Sequence, residues 1–308
     1  MVLHSGRKNA GLAGKLLMAS WLLISCGQPQ EKQAPAASEE EWVSMFNGRD
    51  LEGWEIKIKD HPLGENYRET FRVEDSMIRV SYANYDKFDN QFGHLYSSQP
   101  YSYYKLRMQY RFVGDHLADA PDWADRNSGV MLHSQSARSV ELHQSFPVSL
   151  EFQFLCGNES DSVPTGNVCT PGTYLTHDGV VFKNHIYNSS SPTYLKNEWV
   201  TIEADVYGDS LIRHMVNGDT VLTYTQTRIG EGFVSPGNYW GWAGIMDSLL
   251  WIRKADTPLA EGYIALQAES QPVDFRRIEI LNLVGCMDTR AKNYKKYYVK
   301  ADNSQCRY

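Results

Sequence analysis

Tyr104-Lys105-Leu106-Arg107-Met108-Gln109-Tyr110-Arg111-Phe112-Val113 alternates apolar and polar side chains as far as Phe112. Successive side chains of a strand point to opposite faces, so Leu106, Met108, Tyr110 and Phe112 make one apolar face. Lys105, Arg107, Gln109 and Arg111 make a wet one. Trp199 to Tyr207 repeats the pattern, with Val200, Ile202, Ala204 and Val206 opposite Thr201, Glu203 and Asp205. Asn217-Gly218-Asp219 then separates Leu211–Val216 from Thr220–Thr225, and Asn-Gly between two such runs reads as a tight hairpin turn. Short runs of this kind continue from Trp42 to Val284, with no amphipathic helix of three turns and no Pro/Gly/Ser-rich linker between them. The expectation is one all-β domain over 42–284, an antiparallel sandwich or jelly roll of about 240 residues.

The composition of the 308-residue chain agrees. Apolar residues at 42 % and charged residues at 22 % exclude a wholly disordered chain, and 23 Gly with 12 Pro exclude a collagen-like one. The 19 Tyr, 11 Phe and 8 Trp suit well-filled sandwich faces or ring-lined surfaces.

Residues 1–25 read as a leader rather than as fold. Arg7, Lys8 and Lys15 form a basic start, Leu16 to Ser25 an apolar run too short to cross a bilayer, and Cys26 follows directly. Leu23-Ile24-Ser25-Cys26 resembles a lipobox, which implies a lipidated Cys26 as the mature N-terminus and attachment to a membrane surface. Residues 26–41 read as a flexible tether. The expected location is the bacterial cell envelope, facing the periplasm or the outside. Loss of three positive charges and no negative one takes the formal net charge from −7 to −10, which argues against a nucleic-acid partner. A neutral carbohydrate remains compatible.

With Cys26 lipidated, Cys156, Cys169, Cys286 and Cys306 remain as two close pairs, and in an oxidising compartment local disulfides are expected between 156 and 169 and between 286 and 306. Neither spacing suits a zinc knuckle. Residues 285–308 carry Arg290, Lys292, Lys295, Lys296, Lys300 and Arg307 against Asp288 and Asp302, and read as a small Cys-closed module. Gly285, Cys286, Asp288, Ala291, Asn293, Tyr294, Asp302, Cys306 and Tyr308 resemble a short element of exported bacterial proteins. Lys and Arg stand at its usual acidic and proline positions, so no metal-binding role carries over, and a structural cap is the plainer reading.

Five further blocks occur in order: Phe46-Asn47-Gly48-Arg49-Asp50-Leu51-Glu52-Gly53-Trp54, Asn127-Ser128-Gly129-Val130-Met131-Leu132-His133, Ser149-Leu150-Glu151-Phe152-Gln153-Phe154, Gly166-Asn167-Val168-Cys169-Thr170-Pro171-Gly172-Thr173, and Gly262-Tyr263-Ile264-Ala265-Leu266-Gln267 with Phe275-Arg276-Arg277-Ile278. Together they resemble the 3-keto-disaccharide hydrolase family over nearly all of residues 44–282. The resemblance implies a concanavalin-like jelly-roll sandwich and cleavage of glycosides already oxidised at C3. One block departs: many members carry Asp-His-Gly where this chain has Ala268-Glu269-Ser270, so no histidine role transfers there.

A C3 ketone acidifies the C2–H, so a base can remove that proton while the C1 substituent leaves, water adding afterwards. Such chemistry needs a base near C2, a donor at the C3 oxygen and an acid near the glycosidic oxygen. Strand parity supplies candidates. Leu150, Phe152 and Phe154 read as core, leaving Glu151 and Gln153 on the other face; Met131 pairs with His133, and Gln267 with Glu269. Glu151 and His133 are the candidate proton-transfer groups. Asn127, Gln153, Gln267, Glu269, Arg276 and Trp54 are the candidate substrate-binding residues. Six of the eight have a plainer reading: solvated acids for Glu151 and Glu269, a packing residue for His133, a turn former for Asn127, a surface ion pair for Arg276, a core anchor for Trp54. His94, His177 and His185 are scattered and show no zinc spacing. A divalent cation held by carboxylate, His and Gln stays open.

The first expectation is therefore an envelope enzyme acting on 3-keto-glycosides by hydrolysis, or by elimination and hydration. The alternative is a non-catalytic carbohydrate-binding lipoprotein, since this architecture hosts both. A conventional glycanase wants a second carboxylate beside Glu151 on its strand, where Gln153 stands.

Overall fold

The computed structural model describes residues 40–158, 160–234 and 239–308, and the alternating runs become its strands. The leader, Cys26 and nearly all of the tether lie outside the described residues. In chain order the first strands are β1 (Val43–Ser44), β2 (Trp54–Ile58), β3 (Phe71–Glu74), β4 (Met77–Val80), β5 (Gly93–Ser97), β6 (Tyr103–Phe112), β7 (Asn127–Ser134), β8 (Leu150–Leu155) and β9 (Asn167–Cys169). There follow β10 (Thr173–His177), β11 (Val180–Phe182), β12 (Ile186–Tyr187), β13 (Val200–Tyr207), β14 (Leu211–Val216) and β15 (Asp219–Ile229). Helix α1 (Ser248–Lys254) precedes β16 (Tyr263–Ala268), β17 (Val273–Asn282), β18 (Val284–Gly285) and β19 (Lys300–Ala301).

Two antiparallel sheets stack as a concanavalin-like jelly roll. One runs β11-β10-β15-β14-β13-β6-β17-β4-β3 with β1 added along β17, the other β12-β9-β8-β7-β16-β5-β2. Burial alternates residue by residue along β6 and β13, so one face of each is core and the other wet. The β14–β15 hairpin turns on Asn217 (φ 49°) and Gly218 (φ 93°), the paired positive φ values that Asn-Gly tolerates. Leu106, Met108 and Tyr110 share one continuous core with Leu150, Phe152 and Phe154 of the facing sheet.

The seven-stranded sheet departs from a half-wet strand pattern. Its central strand β7 is buried at every position, because loops cover the face turned away from the core. On that face Met131 and Ala265 pack with Tyr96, Ala137 and Val140, while Phe233, Trp240, Ala243, Ile245 and Trp251 form a separate apolar cluster with Val148 and Ile229.

One ionic cluster ties the other sheet together. Asp274 on β17 is fully buried and accepts from Arg79 on β4 (Nε 2.6 Å, Nη2 3.0 Å) and Arg111 on β6 (Nε 3.0 Å, Nη2 2.9 Å). Removing the carboxylate takes the shared anion from both guanidinium groups and leaves Arg79 with Glu74 alone. Asp274→Ala is expected to destabilise by about 3 kcal/mol, read as a lower urea midpoint at unchanged slope.

The tail closes as expected through Cys286–Cys306, and β19 inside that loop pairs in parallel with β18 just before it. The expected bond between Cys156 and Cys169 does not form: both are free thiols. Register explains it. Glu151 opposes Cys169 across β8 and β9, which puts Cys156 five residues further along the pair, roughly 16 Å away. The two also face opposite ways, Cys156 into the core beside Phe154 and Cys169 into the cavity described next.

Candidate functional site

A cavity of about 410 Å³ opens on the loop-covered face of the seven-stranded sheet. Its polar floor comes from alternate residues of neighbouring strands: Asn127 on β7, Glu151 and Gln153 on β8, Asn167 and Cys169 on β9, with Glu269 directly after β16. The strand parity that sends Phe152 and Phe154 into the core sends Glu151 and Gln153 here. Trp123, Phe146, Phe233 and Trp242 supply aromatic walls. Trp123 is 53 % and Trp242 55 % exposed, so both rings present a face at the mouth; Trp123 is held from behind by stacking on Phe92 at 5.7 Å.

Side-chain amides run across the floor as a relay. Asn127 Nδ2 donates to the Trp123 carbonyl (3.1 Å), Gln153 Nε2 to Asn127 Oδ1 (3.2 Å), and Asn167 Nδ2 to Gln153 Oε1 (3.1 Å). The Ser189 amide donates to Asn167 Oδ1 (2.9 Å) and ends the chain. Every amide in the relay is oriented by its neighbours, which pre-sets where a ligand hydroxyl can bond.

Beside the relay lie two buried carboxyls, Glu151 (7 % exposed) and Glu269 (3 %). Glu151 occupies the space left by Gly129, where a Cβ would come within 2.8 Å of Glu151 Oε1. Burial pushes the Glu151 carboxyl up to about 8, although a hydrogen bond from Cys169 partly offsets it. Burial raises Glu269 well above the carboxylate range, and the charge of Glu151 raises it further. Two like charges close together in a low-dielectric site do not both ionise near neutrality, so the pair holds at least one proton there. Ser270, in place of the glycine of the resembled motif, keeps φ at 79°.

The structure thus brings Glu151, Glu269, Asn127 and Gln153 together, and leaves other expected residues elsewhere. The alternation that would put His133 beside Met131 fails at a β-bulge. Tyr263 pairs with Ser134 and Ala265 with Met131, so two residues of β7 oppose Ile264 alone, and His133 takes φ 50°. Its ring turns to Gly208 O (3.2 Å) and lies edge-on to Tyr104, and burial pushes it down to about 4, a neutral packing residue. Arg276 stacks on Trp199 (3.7 Å) and donates to Gln109 Oε1 (2.9 Å) on the ten-stranded sheet, away from the cavity. Trp54 sits in the core with its indole N–H on Met45 O (2.9 Å). Gln267 is buried opposite His94 on β5, with neither amide atom bonded.

Asn167, His185 and the four aromatic walls were not among the expected site residues, and Cys169 was expected only as a disulfide partner. Asn167 and Cys169 flank Val168 in a quoted block, so the parity applied to Glu151 could have found them. Among the described residues no group of three or more His, Cys, Asp or Glu side chains is placed to hold a metal ion.

The family model described as a 3-keto-alpha-glucoside-1,2-lyase-like domain matches residues 41–281. No curated protein matches the chain. Among solved structures, a protein of Parabacteroides distasonis ATCC 8503 assigned as a glycosyl hydrolase is 16 % identical, with a TM-score of 0.44 over 78 % of this chain and 93 % of that one. The carbohydrate-binding module CBM66 of Bacillus subtilis is 10 % identical, with a TM-score of 0.39 over 75 % and 96 %. The β-glucanase of Bacillus licheniformis is 13 % identical, with a TM-score of 0.41 over 79 % and 97 %. Since the family model spans most of the chain, the protein belongs to the 3-keto-alpha-glucoside-1,2-lyase-like family.

Proposed function

We propose that the protein binds a carbohydrate in the cavity of the seven-stranded sheet. One observation carries the reading: a pre-oriented amide floor meets aromatic walls in a single concave site. A sugar ring is itself two-sided, with hydroxyls at its rim and C–H bonds on its faces. Asn127, Gln153 and Asn167 match the rim, while Trp123 and Trp242 match a face. Family membership supports the same ligand class. Calorimetric titration with a 3-keto-glucoside and with the parent glucoside is expected to show binding that Trp242→Ala weakens about tenfold. Binding unchanged by Trp242→Ala and by Gln153→Ala together would place the ligand elsewhere.

A second reading, that the bound sugar is also cleaved, is favoured by the Glu151–Glu269 pair. One ionised and one protonated carboxyl suit an elimination on a glycoside carrying a ketone at C3. The carboxylate takes the C2 proton, the C2–H electron pair becomes the C1=C2 bond, and the C1–O bond breaks. The leaving oxygen takes the proton of the other carboxyl, and exchange with water resets both acids. The products are the unsaturated 3-keto sugar, to which water adds, and the free aglycone. Turnover in D2O with deuterium at C2 of the hydrated product supports elimination followed by hydration. We also read the chain as an envelope lipoprotein, on its leader sequence alone.

A further inference from the structure

The elimination above leaves open which carboxyl is the base. Three observations break the symmetry of the pair. Cys169 lies directly opposite Glu151 across β8 and β9 and lines the same cavity, and its thiol favours the charged form of the Glu151 carboxyl. On the other side of Glu151 stands Gly129, which has no side chain to offer a bond. On Glu269 the Oε2 atom is buried without any partner.

We propose that Cys169 is a positioning residue whose S–H donates to Glu151, fixing the single negative charge of the pair on Glu151 and leaving the proton on Glu269. A hydrogen bond to a carboxylate favours its charged form, and an unpartnered buried oxygen disfavours it. The thiol is suited to the task because burial and the neighbouring carboxyls push it well above its ordinary value, so it keeps its proton throughout. The other titratable group of the cavity, His185, is held neutral by burial and adds no competing charge. From β7 only Asn127, Gly129 and Met131 reach the pair's surroundings, and none of them titrates. In this arrangement Glu151 is the base at C2 and Glu269 the acid at the leaving oxygen.

The proton assignment stands on its own geometry, while its catalytic use rests on the second reading above. Infrared difference spectra separate the two. In the wild-type protein the Cys169 S–H stretch, identified by its loss in Cys169→Ala, is expected at lower wavenumber than that of Cys156 and should rise in Glu151→Gln. A Cys169 band that Glu151→Gln leaves in place overturns the proposal. In turnover of a 3-keto-glucoside, Cys169→Ala is expected to move the acid limb of the pH profile up by about one unit, and Cys169→Ser to restore it. An acid limb unmoved in Cys169→Ala also overturns it. A shifted band in a protein that turns over no 3-keto-glucoside removes the catalytic reading and supports the hydrogen bond.

Discussion

Replacing Glu151 by Gln is expected to lower turnover of a 3-keto-glucoside about 10³-fold, leave sugar binding largely intact, and raise stability in alkaline solution. The first effect follows from removing the base proposed above for the C2 proton. Gln has the shape of Glu, so the floor keeps its form. The second effect comes from burial. In the unfolded chain the carboxyl ionises near its ordinary value of 4.5, whereas in the cavity it holds its proton up to about 8. Between those values the folded state binds more protons than the unfolded one, so stability falls as pH rises through the window. Above pH 8 the wild type has lost on the order of 5 kcal/mol through this group, a loss that Gln does not suffer. Thermal melts of the two proteins should therefore diverge from pH 5 upward, the variant becoming the more stable. Turnover equal to wild type would remove Glu151 from the chemistry. A wild type that binds the sugar and never cleaves it would leave the protein a carbohydrate-binding member of its family.

The parts of this site that could be read from sequence are those where period-two alternation runs undisturbed. Phe152 and Phe154 belong to the core, and that alone sends Glu151 and Gln153 to the opposite face. The same logic fails at His133, because one bulge residue reverses every later side chain on β7, and nothing in Met131-Leu132-His133 marks the bulge. Sequence distance misled for Cys156 and Cys169. Thirteen residues is a short loop, yet β8 and β9 run antiparallel from Glu151 opposite Cys169, so closeness in chain puts the thiols at far ends of one ladder. At the tail, where no long ladder intervenes, Cys286 and Cys306 do meet. Arg276 was a chemically reasonable cation, but strand parity does not say which of two sheets a strand joins, and β17 joins the one without the cavity. Trp123 and Trp242 lie outside the strands, where no periodicity constrains them. Their role appears only once the loops are folded over the sheet. The burial of Glu151 has the same origin: an alternating strand predicts a wet face, and loop cover from distant sequence turns that face into a cavity floor.

Stability of the wild-type protein is expected to peak near pH 6.5 and fall on both sides, for opposite reasons. Burial pushes His94 down to about 3, and His133, His185 and His214 each to about 4, from an ordinary value of 6.5. Below pH 6.5 the unfolded chain therefore takes up protons on four imidazoles that the folded chain refuses. Glu151 and Glu269 act the other way, since the folded chain keeps two protons that the unfolded chain releases above 4.5. From pH 4.5 to 6.5 the four imidazoles outnumber the two carboxyls, the unfolded state holds more protons, and stability rises with pH. From 6.5 to 8 the histidines are neutral in both states and the carboxyls alone remain, so stability falls as pH rises. Acid unfolding should therefore begin before most surface carboxylates are protonated. Melting temperatures followed by circular dichroism from pH 4.5 to 9 test this directly, with His94→Gln expected to flatten the acid side by one proton and Glu151→Gln the alkaline side by another. A melting temperature that stays level between pH 4.5 and 6.5 would mean that the rings take up protons in the folded state and would overturn this account.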